Sequence, residues 1–156
     1  MGFQMIEYIG ATLKDIDSMQ KLVEPEVQSG VILARNIDEI ATNIRSYILA
    51  KKDGKLIGFG ALHFHTPLLG EIRSLIVSPD VRGKGVGKEI VGKNLASAKK
   101  LLAQRVFTLT YKKEFFESLG FREIPKEELP AHKIWADCIK CKFFPICDEI
   151  ALIIDI

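Results

Sequence analysis

The sequence is poor in the features that mark secreted, membrane-spanning and nucleic-acid-binding proteins. Its three cysteines are an odd number confined to residues 138–147, which argues against the disulfide framework of a small secreted domain. No apolar run approaches the roughly 20 residues that cross a bilayer as a helix. With 22 Lys and Arg against 20 Asp and Glu, the net charge is only +2. Neither a nucleic acid nor a membrane surface is therefore indicated as a partner.

A targeting signal is also missing from the beginning of the sequence. No charged segment followed by an apolar stretch opens it, as a secretory signal peptide would require. We therefore expect a cytoplasmic protein. A chain of 156 residues is long enough to bury a full hydrophobic core, so residues 1–156 are predicted to form a single domain.

The most informative stretch runs from Glu71 to Leu102 and predicts a strand, a glycine-rich loop and an amphipathic helix. Pro79 ends the strand because proline has no N–H to donate to a sheet. Apolar residues then recur at helical spacing from residue 91 to residue 102. Alternation along the strand would place Glu71, Arg73, Leu75 and Val77 on one face and Ile72, Ser74 and Ile76 on the other.

The loop in this stretch has the composition of an anion-binding site. It contains three glycines among basic residues: Arg82, Gly83, Lys84, Gly85, Val86, Gly87 and Lys88. Glycines let successive N–H groups face one point, and the following helix N-terminus adds its own donors, so the loop is predicted to hold a phosphate or pyrophosphate. The spacing differs from a Walker loop, because Glu89 stands where Ser or Thr is needed. A glycine-rich turn with exposed lysines is the alternative.

Periodicity and turn signals predict the other elements. Strands are expected at residues 4–9, 47–51, 56–64, 105–109, 121–124 and 149–154, and helices at 12–22 and 114–119. Pro25 is expected to begin a second short helical piece that ends at Gly30. Asn36 and Glu39 predict a capping box before the next helix.

The element order, together with Arg82-x-x-Gly85-x-Gly87 after an apolar strand, resembles the GNAT superfamily of acyl-CoA N-acyltransferases. This resemblance covers nearly the whole chain. It implies an α/β (α+β) fold with a mixed, mostly antiparallel central sheet and helices on both faces. It also implies acetyl-CoA as co-substrate, held in a slot where the central strand and the strand at Arg105 splay apart.

The same resemblance implies which residues hold the acetyl-CoA. The backbone of Leu75, Ile76 and Val77 would hydrogen-bond the pantetheine arm and polarise the thioester carbonyl. The loop from Arg82 to Lys88 would hold the pyrophosphate. Phe116 and its aromatic neighbours would line the far side of the slot, although ordinary core packing also explains them.

A second resemblance, from about Val27 to the C-terminus, is to stand-alone N-acetylglutamate synthase domains. It rests on Gly30-Val31-Ile32-Leu33-x-Arg35, on Phe107-Thr108-Leu109-Thr110 and on Lys133-Ile134-Trp135. It implies acetyl transfer to the α-amino group of a small amino acid, glutamate first, in the first step of arginine synthesis. Arg35, Arg73 and Lys133 would then bind the acceptor carboxylates. The sequence departs from several synthases at Cys147-Asp148-Glu149, where they carry an arginine.

The acceptor amine must lose a proton before it attacks the thioester. Glu71, at the start of the central strand, is the candidate general base, directly or through a water. Its alternative role is an ion pair with Arg73, and His63 and His65 are further candidates for the base. Many family members carry a tyrosine where this chain has Phe116, so Tyr111 is the candidate acid for the leaving thiolate.

The cysteine-containing loop has an ambiguous pattern. His132, Cys138, Cys141 and Cys147 resemble zinc ligands in type but have only one familiar pair spacing. We expect free thiols and no metal, with a redox role for Cys138 and Cys141 left open.

The alternatives to an amino-acid acetyltransferase are an acyl-CoA-binding module without turnover and an enzyme for another amine, such as a polyamine or a protein N-terminus. A homodimer is also left open.

Overall fold

The computed structural model describes residues 5–30, 32, 34–130 and 149–156. Its strands are β1 (Ile6–Gly10), β2 (Tyr47–Lys52), β3 (Lys55–Thr66), β4 (Leu69–Val77), β5 (Arg105–Thr110), β6 (Arg122–Ile124) and β7 (Ile150–Asp155). Its helices are α1 (Ile16–Gln28), α2 (Ile37–Thr42), α3 (Val86–Lys100) and α4 (Lys113–Ser118). Lys133 and the cysteine loop of residues 132–147 lie outside the described residues, so the predictions made for them stay predictions.

The strands form one mixed sheet in the order β1-β2-β3-β4-β5-β7-β6. The β4–β5 pair is parallel and is connected by α3, whereas the other neighbouring strands are antiparallel. Helices α1 and α2 cover one face, and helices α3 and α4 cover the other. The predicted fold class, a mostly antiparallel sheet between helices, is confirmed.

The predicted alternation along the central strand is wrong beyond Arg73. Ser74 has a φ of +59°, and the register between β3 and β4 shifts there, with Phe59 opposite Ile76 but Ala61 opposite Arg73. This β-bulge adds one residue to β4, and an added residue exchanges the faces of all that follow. Leu75 and Val77 consequently pack under α3, on the face opposite to Arg73.

The two parallel strands separate early. In the part of the chain that the structure describes, β4–β5 pairing covers Leu69 with Arg105, Gly70 with Val106 and Glu71 with Phe107, and then stops. The Thr108 hydroxyl donates a 2.9 Å hydrogen bond to the Ile72 carbonyl oxygen just beyond the last pair. The edge of β4 from Arg73 to Val77 thus has no strand partner on the β5 side among the described residues, and a slot opens there.

The first helix is longer than predicted. Pro25 lies inside α1 instead of starting a separate piece, and the helix continues to Gln28. Proline removes the hydrogen bond to the carbonyl of Lys21, but Lys21 is exposed and water can bind that oxygen. At α2 the predicted cap forms in part: Asn36 Oδ1 accepts from the Glu39 N–H at 2.8 Å.

No helix in the described ranges combines the length and the apolar character that crossing a membrane requires.

The close approach of β3 to its neighbours yields a prediction about two glycines. A Cβ at Gly58 would lie 2.9 Å from the backbone oxygen of Ile76, whereas a Cβ at Gly92, on the outer face of α3, would meet nothing within 4 Å. Gly58→Ala should therefore lower the free energy of unfolding by about 1–3 kcal/mol through overpacking. Gly92→Ala, its matched control, should raise it by about 0.5–1 kcal/mol through helix propensity. Urea denaturation measures both, and an equal sign for the two changes would contradict the packing described.

Candidate active site

The slot between β4 and β5 begins at a buried carboxylate. Glu71 stands in the last β4–β5 pair, and only 1% of its side chain is exposed. Its Oε1 lies 2.7 Å from Nε2 of His65 and 3.8 Å from Nη1 of Arg73. Glu71 is thus in closer contact with His65 than with Arg73, the residue that the sequence predicted as its ion-pair partner.

The other strand histidine contacts the arginine instead. Nδ1 of His63 lies 2.9 Å from Nη2 of Arg73. A guanidinium group only donates hydrogen bonds, so this His63 nitrogen accepts, and its lone pair is engaged. This contact makes His63 a poorer candidate for the base than Glu71.

The two residues predicted near the thiol lie in different surroundings. Tyr111 directly follows β5 and is 37% exposed. It is four residues beyond Phe107, the partner of Glu71, which corresponds to about 13 Å along a strand. Phe116 is buried in the core and packs edge-on against Phe115 and Phe121. Phe115 lies against the first turn of α3, because its ring would be 3.3 Å from a Cβ at Gly87.

The glycine loop has the geometry of an anion nest. Gly83 and Gly85 have φ values of +81° and +83°, which other residues rarely adopt. Gly85 is the N-cap of α3 and offers no side-chain acceptor to the first turn, so the N–H groups there are available to a ligand. Lys84 and Lys88 are exposed, whereas the Val86 side chain is buried, leaving its backbone for the contact.

Arg82 fastens this loop to the rest of the protein. Its Nε donates to the Val77 carbonyl oxygen at 3.0 Å, and its Nη2 donates to Glu26 Oε1 of α1 at 3.1 Å. The Arg82 guanidinium group thus already joins the loop to β4 and α1. A contact with the pyrophosphate, as predicted, would be made by this same group.

A small cavity lies beside the slot on the α1 and α2 side. Its lining is mostly apolar, with Arg35, Tyr47 and Ser74 as the polar side chains among Met19, Val23, Ile32, Ile40 and Phe59. Burial raises the pKa of Tyr47, while the positive charges of Arg35 and Arg73 act in the opposite direction. Arg35 lines this cavity directly, and Arg73 precedes Ser74 on β4. The Arg35 side chain is 16% exposed and lies 3.6 Å from Glu39.

Three features of this site could not be found from the sequence. Tyr47 was predicted only as the first residue of a strand, Ser74 as an ordinary strand residue and Thr108 as part of a motif. The positive φ of Ser74 comes from the register between β3 and β4, and the bond from Thr108 to Ile72 comes from the meeting of β4 and β5, neither of which a local pattern predicts. No cluster of His, Cys, Asp or Glu suited to a metal is found within the described residues.

The site fits the acyl-CoA that its motif implies. The nest is open, because a Cβ at Gly83 or Gly85 would meet no atom within 4 Å. The slot leads from this nest along the unpaired edge of β4 toward Glu71. A phosphate-bearing, elongated ligand would thus bring its distal end to the buried carboxylate.

Comparison with known proteins supports this interpretation. The model of the acetyltransferase (GNAT) family matches residues 14–121. An uncharacterized N-acetyltransferase of Chlorobaculum tepidum is 38% identical over 92% of this chain and 92% of its own length. An amino-acid acetyltransferase of Mycobacterium tuberculosis is 36% identical over 73% of this chain and 67% of its own length.

Solved structures give the same fold. A Mycobacterium tuberculosis protein in complex with CoA and NLQ superimposes with a TM-score of 0.82 at 28% identity, covering 96% of this chain and 99% of that one. N-acetylglutamate synthase from Neisseria gonorrhoeae, complexed with coenzyme A and N-acetyl-glutamate, gives a TM-score of 0.87 at 24% identity. This chain is covered to 99% and spans 36% of that longer protein, and at this identity the match shows the fold alone.

The nest geometry predicts that Gly85→Val weakens acetyl-CoA binding. A β-branched residue disfavours a φ of +83°, so the loop should leave the conformation in which its N–H groups converge. Affinity measured by calorimetry should fall by at least about tenfold, or about 1.4 kcal/mol.

The matched control is Gly54→Val in the β2–β3 hairpin, where φ is +78° and the space is equally open. It should cost similar folding stability and leave the affinity for acetyl-CoA unchanged. Equal affinities of the two variants would mean that the loop does not hold the cofactor.

Proposed function

The chain belongs to the acetyltransferase (GNAT) family and uses acetyl-CoA, and on this premise we propose that it acetylates the α-amino group of L-glutamate. This would be the first step of arginine biosynthesis. The supporting observation is that Arg35 lines the cavity beside the slot together with Tyr47 and Ser74, while Arg73, which precedes Ser74 on β4, lies 3.8 Å from Glu71. One guanidinium group at the cavity and a second next to the candidate base would suit an acceptor with two carboxylates.

Acetyl-CoA supplies the acetyl group as a thioester, which is activated toward attack by an amine. The N–H groups from Gly83 to Lys88 would bind its pyrophosphate, with Lys84 and Lys88 adding charge. The edge of β4 from Leu75 to Val77 would align its arm. The Val77 carbonyl already accepts from Arg82, so the alignment would depend on the remaining backbone groups of this edge.

Glu71 would remove the proton from the acceptor amine. The α-amino group of a free amino acid is mostly protonated near pH 7, and only the neutral amine attacks. The Glu71 carboxylate is buried at the vertex of the slot, where low water content strengthens its interaction with a nearby ammonium group. The amine reaches it directly or through one water.

Arg35 and Arg73 would recognise the acceptor carboxylates. Arg35 now faces Glu39 at 3.6 Å, a distance too long for a good hydrogen bond. A carboxylate that enters the cavity lined by Arg35 can make a bidentate contact with its guanidinium group. Lys133 would add a third cation from outside the described residues.

The name of one relative agrees with this acceptor class: the Mycobacterium tuberculosis protein that is 36% identical is an amino-acid acetyltransferase. A polyamine is less suited to this chain, because Arg35 at the cavity and Arg73 beside Glu71 would repel a second ammonium group.

The thiolate of CoA leaves without a strong need for an acid. A thiol has a pKa of about 8.5, so its thiolate is a fair leaving group near neutral pH. Tyr111 remains the proposed donor. Tyr111→Phe should therefore change kcat less than replacement of Glu71.

Replacing the base tests the chemical step. Glu71→Gln should lower kcat by about 10²- to 10⁴-fold, the range for a general base, and leave the affinity for acetyl-CoA within about twofold. Steady-state rates by thiol release, with calorimetry on the same protein, give both values. Undiminished kcat would reject Glu71 as the base.

Replacing Arg35 tests acceptor recognition. In Arg35→Ala the acceptor carboxylate loses a charged partner at a cost of about 2–5 kcal/mol, so kcat/KM for glutamate should fall by at least about 30-fold. The ratio of glutamate to glutamine rates should fall with it. Lysine should rescue poorly, because it lacks the planar fork.

The matched control is Arg45→Ala, an exposed arginine just before β2, which should leave the glutamate rate unchanged. If the wild type does not prefer glutamate over glutamine, or if Arg35→Ala slows all acceptors equally, Arg35 does not recognise the side-chain carboxylate. The assignment then reduces to an N-acetyltransferase for another amine.

A further inference from the structure

We propose that His65 is the positioning residue of the catalytic carboxylate: its Nε2–H donates to Glu71 Oε1 and holds the base in one orientation at the vertex of the slot. This inference rests on the proposed role of Glu71. His65 itself would contact neither the acceptor nor acetyl-CoA.

The strand pairing explains why His65, and not His63, contacts Glu71. Glu71 lies directly opposite His63 in the β3–β4 ladder, but the Nδ1 lone pair of His63 is engaged by Arg73. The register between β3 and β4 shifts between Phe64 and Thr66. His65 is the extra residue of β3 at this shift and lies diagonally across from Glu71. Glutamate is long enough to reach a diagonal neighbour, and the contact is 2.7 Å.

The imidazole of His65 is fixed on a second side. Its ring lies 5.3 Å from that of Phe107, centroid to centroid, at an angle of 34°. Phe107 is also the β5 partner of Glu71, so one ring supports the histidine at the position where the slot begins. Only 8% of the His65 side chain is exposed. The donor is therefore both ordered and shielded from water.

A buried carboxylate needs such a donor to act as a base. Burial favours its protonated form, whereas a hydrogen bond to the charged form opposes this. The charged and titratable groups that contact it are His65 on β3 and Arg73 on β4, and His63 on β3 contacts Arg73. Tyr47 on β2 and Arg35 before α2 line the neighbouring cavity together with Ser74. Strand β5 contributes Phe107 and Thr108, which do not titrate. Arg73 supplies charge from 3.8 Å, and His65 supplies the short hydrogen bond.

Two variants separate the donor from the ring. His65→Phe keeps an aromatic ring against Phe107 but removes the N–H, and His65→Gln keeps an amide N–H. His65→Phe should lower kcat by about 10- to 100-fold, as for a lost hydrogen bond to a charged group. KM for the acceptor should change by less than about threefold. The acid limb of its pH–rate profile should move to higher pH, because the carboxylate is protonated more readily.

His65→Gln should recover most of kcat and return the acid limb toward its wild-type position. The matched control is Phe64→Leu, the adjacent residue, which is 42% exposed. It should leave kcat and the pH profile unchanged. An undiminished kcat in His65→Phe, or a His65→Gln variant that is folded and as slow as His65→Phe, would overturn the positioning role.

The double variant distinguishes this inference from the proposed function. If His65 acts through Glu71, then His65→Phe in a Glu71→Gln background should cause no further loss of kcat. A further loss, with fold and acetyl-CoA affinity intact, would mean that His65 acts independently of Glu71. If Glu71→Gln alone keeps full activity, the proposed base fails. If Glu71→Gln is slow while His65→Phe is not, only the positioning role fails.

Discussion

The end of pairing between β4 and β5 is the constraint on which the site depends. Backbone groups of a strand must find hydrogen-bond partners, and the ladder that satisfies them stops after Glu71 and Phe107. Thr108 bonds the next carbonyl, that of Ile72, with its side chain. Beyond it, no strand among the described residues pairs with this edge of β4, which is the edge proposed to align the arm of acetyl-CoA. If β4 and β5 were paired along their whole length, no slot would open between them and the Glu71 carboxylate would not lie at the start of one.

The bulge at Ser74 decides which side chains border that slot. Without it, Arg73 and Leu75 would share a face, and either a guanidinium group would lie under α3 or a leucine would lie on the face that carries Glu71 and Arg73. The extra residue sends Leu75 into the core beneath α3 and keeps Arg73 on the other face, 3.8 Å from Glu71. One residue in an uncommon conformation, at a cost of about 1–3 kcal/mol, thereby keeps Leu75 and Arg73 on opposite faces of the sheet.

Local signals in the sequence predicted the fold well and the site in part. Apolar periodicity located the strands and the long helix, and the spacing of Gly83, Gly85 and Gly87 located the nest, because these depend on neighbouring residues. The bulge at Ser74 and the contact of His65 with Glu71, only six residues apart, depend on the register between β3 and β4, and the clamp of Arg82 on Glu26 depends on the packing of the loop against α1. The Glu26 contact joins residues 56 positions apart, and no local pattern records it.

The position of β7 has a consequence for the order in which the sheet can form. Strands β1 to β4 pair successively along the chain, so this half can assemble from neighbouring segments. Strand β7 lies between β5 and β6, and these two cannot close their part of the sheet until residues 150–155 have left the ribosome. During synthesis both would expose unpaired edges, which are prone to association with other chains. The half of the sheet that carries Phe107 is thus the last to be completed.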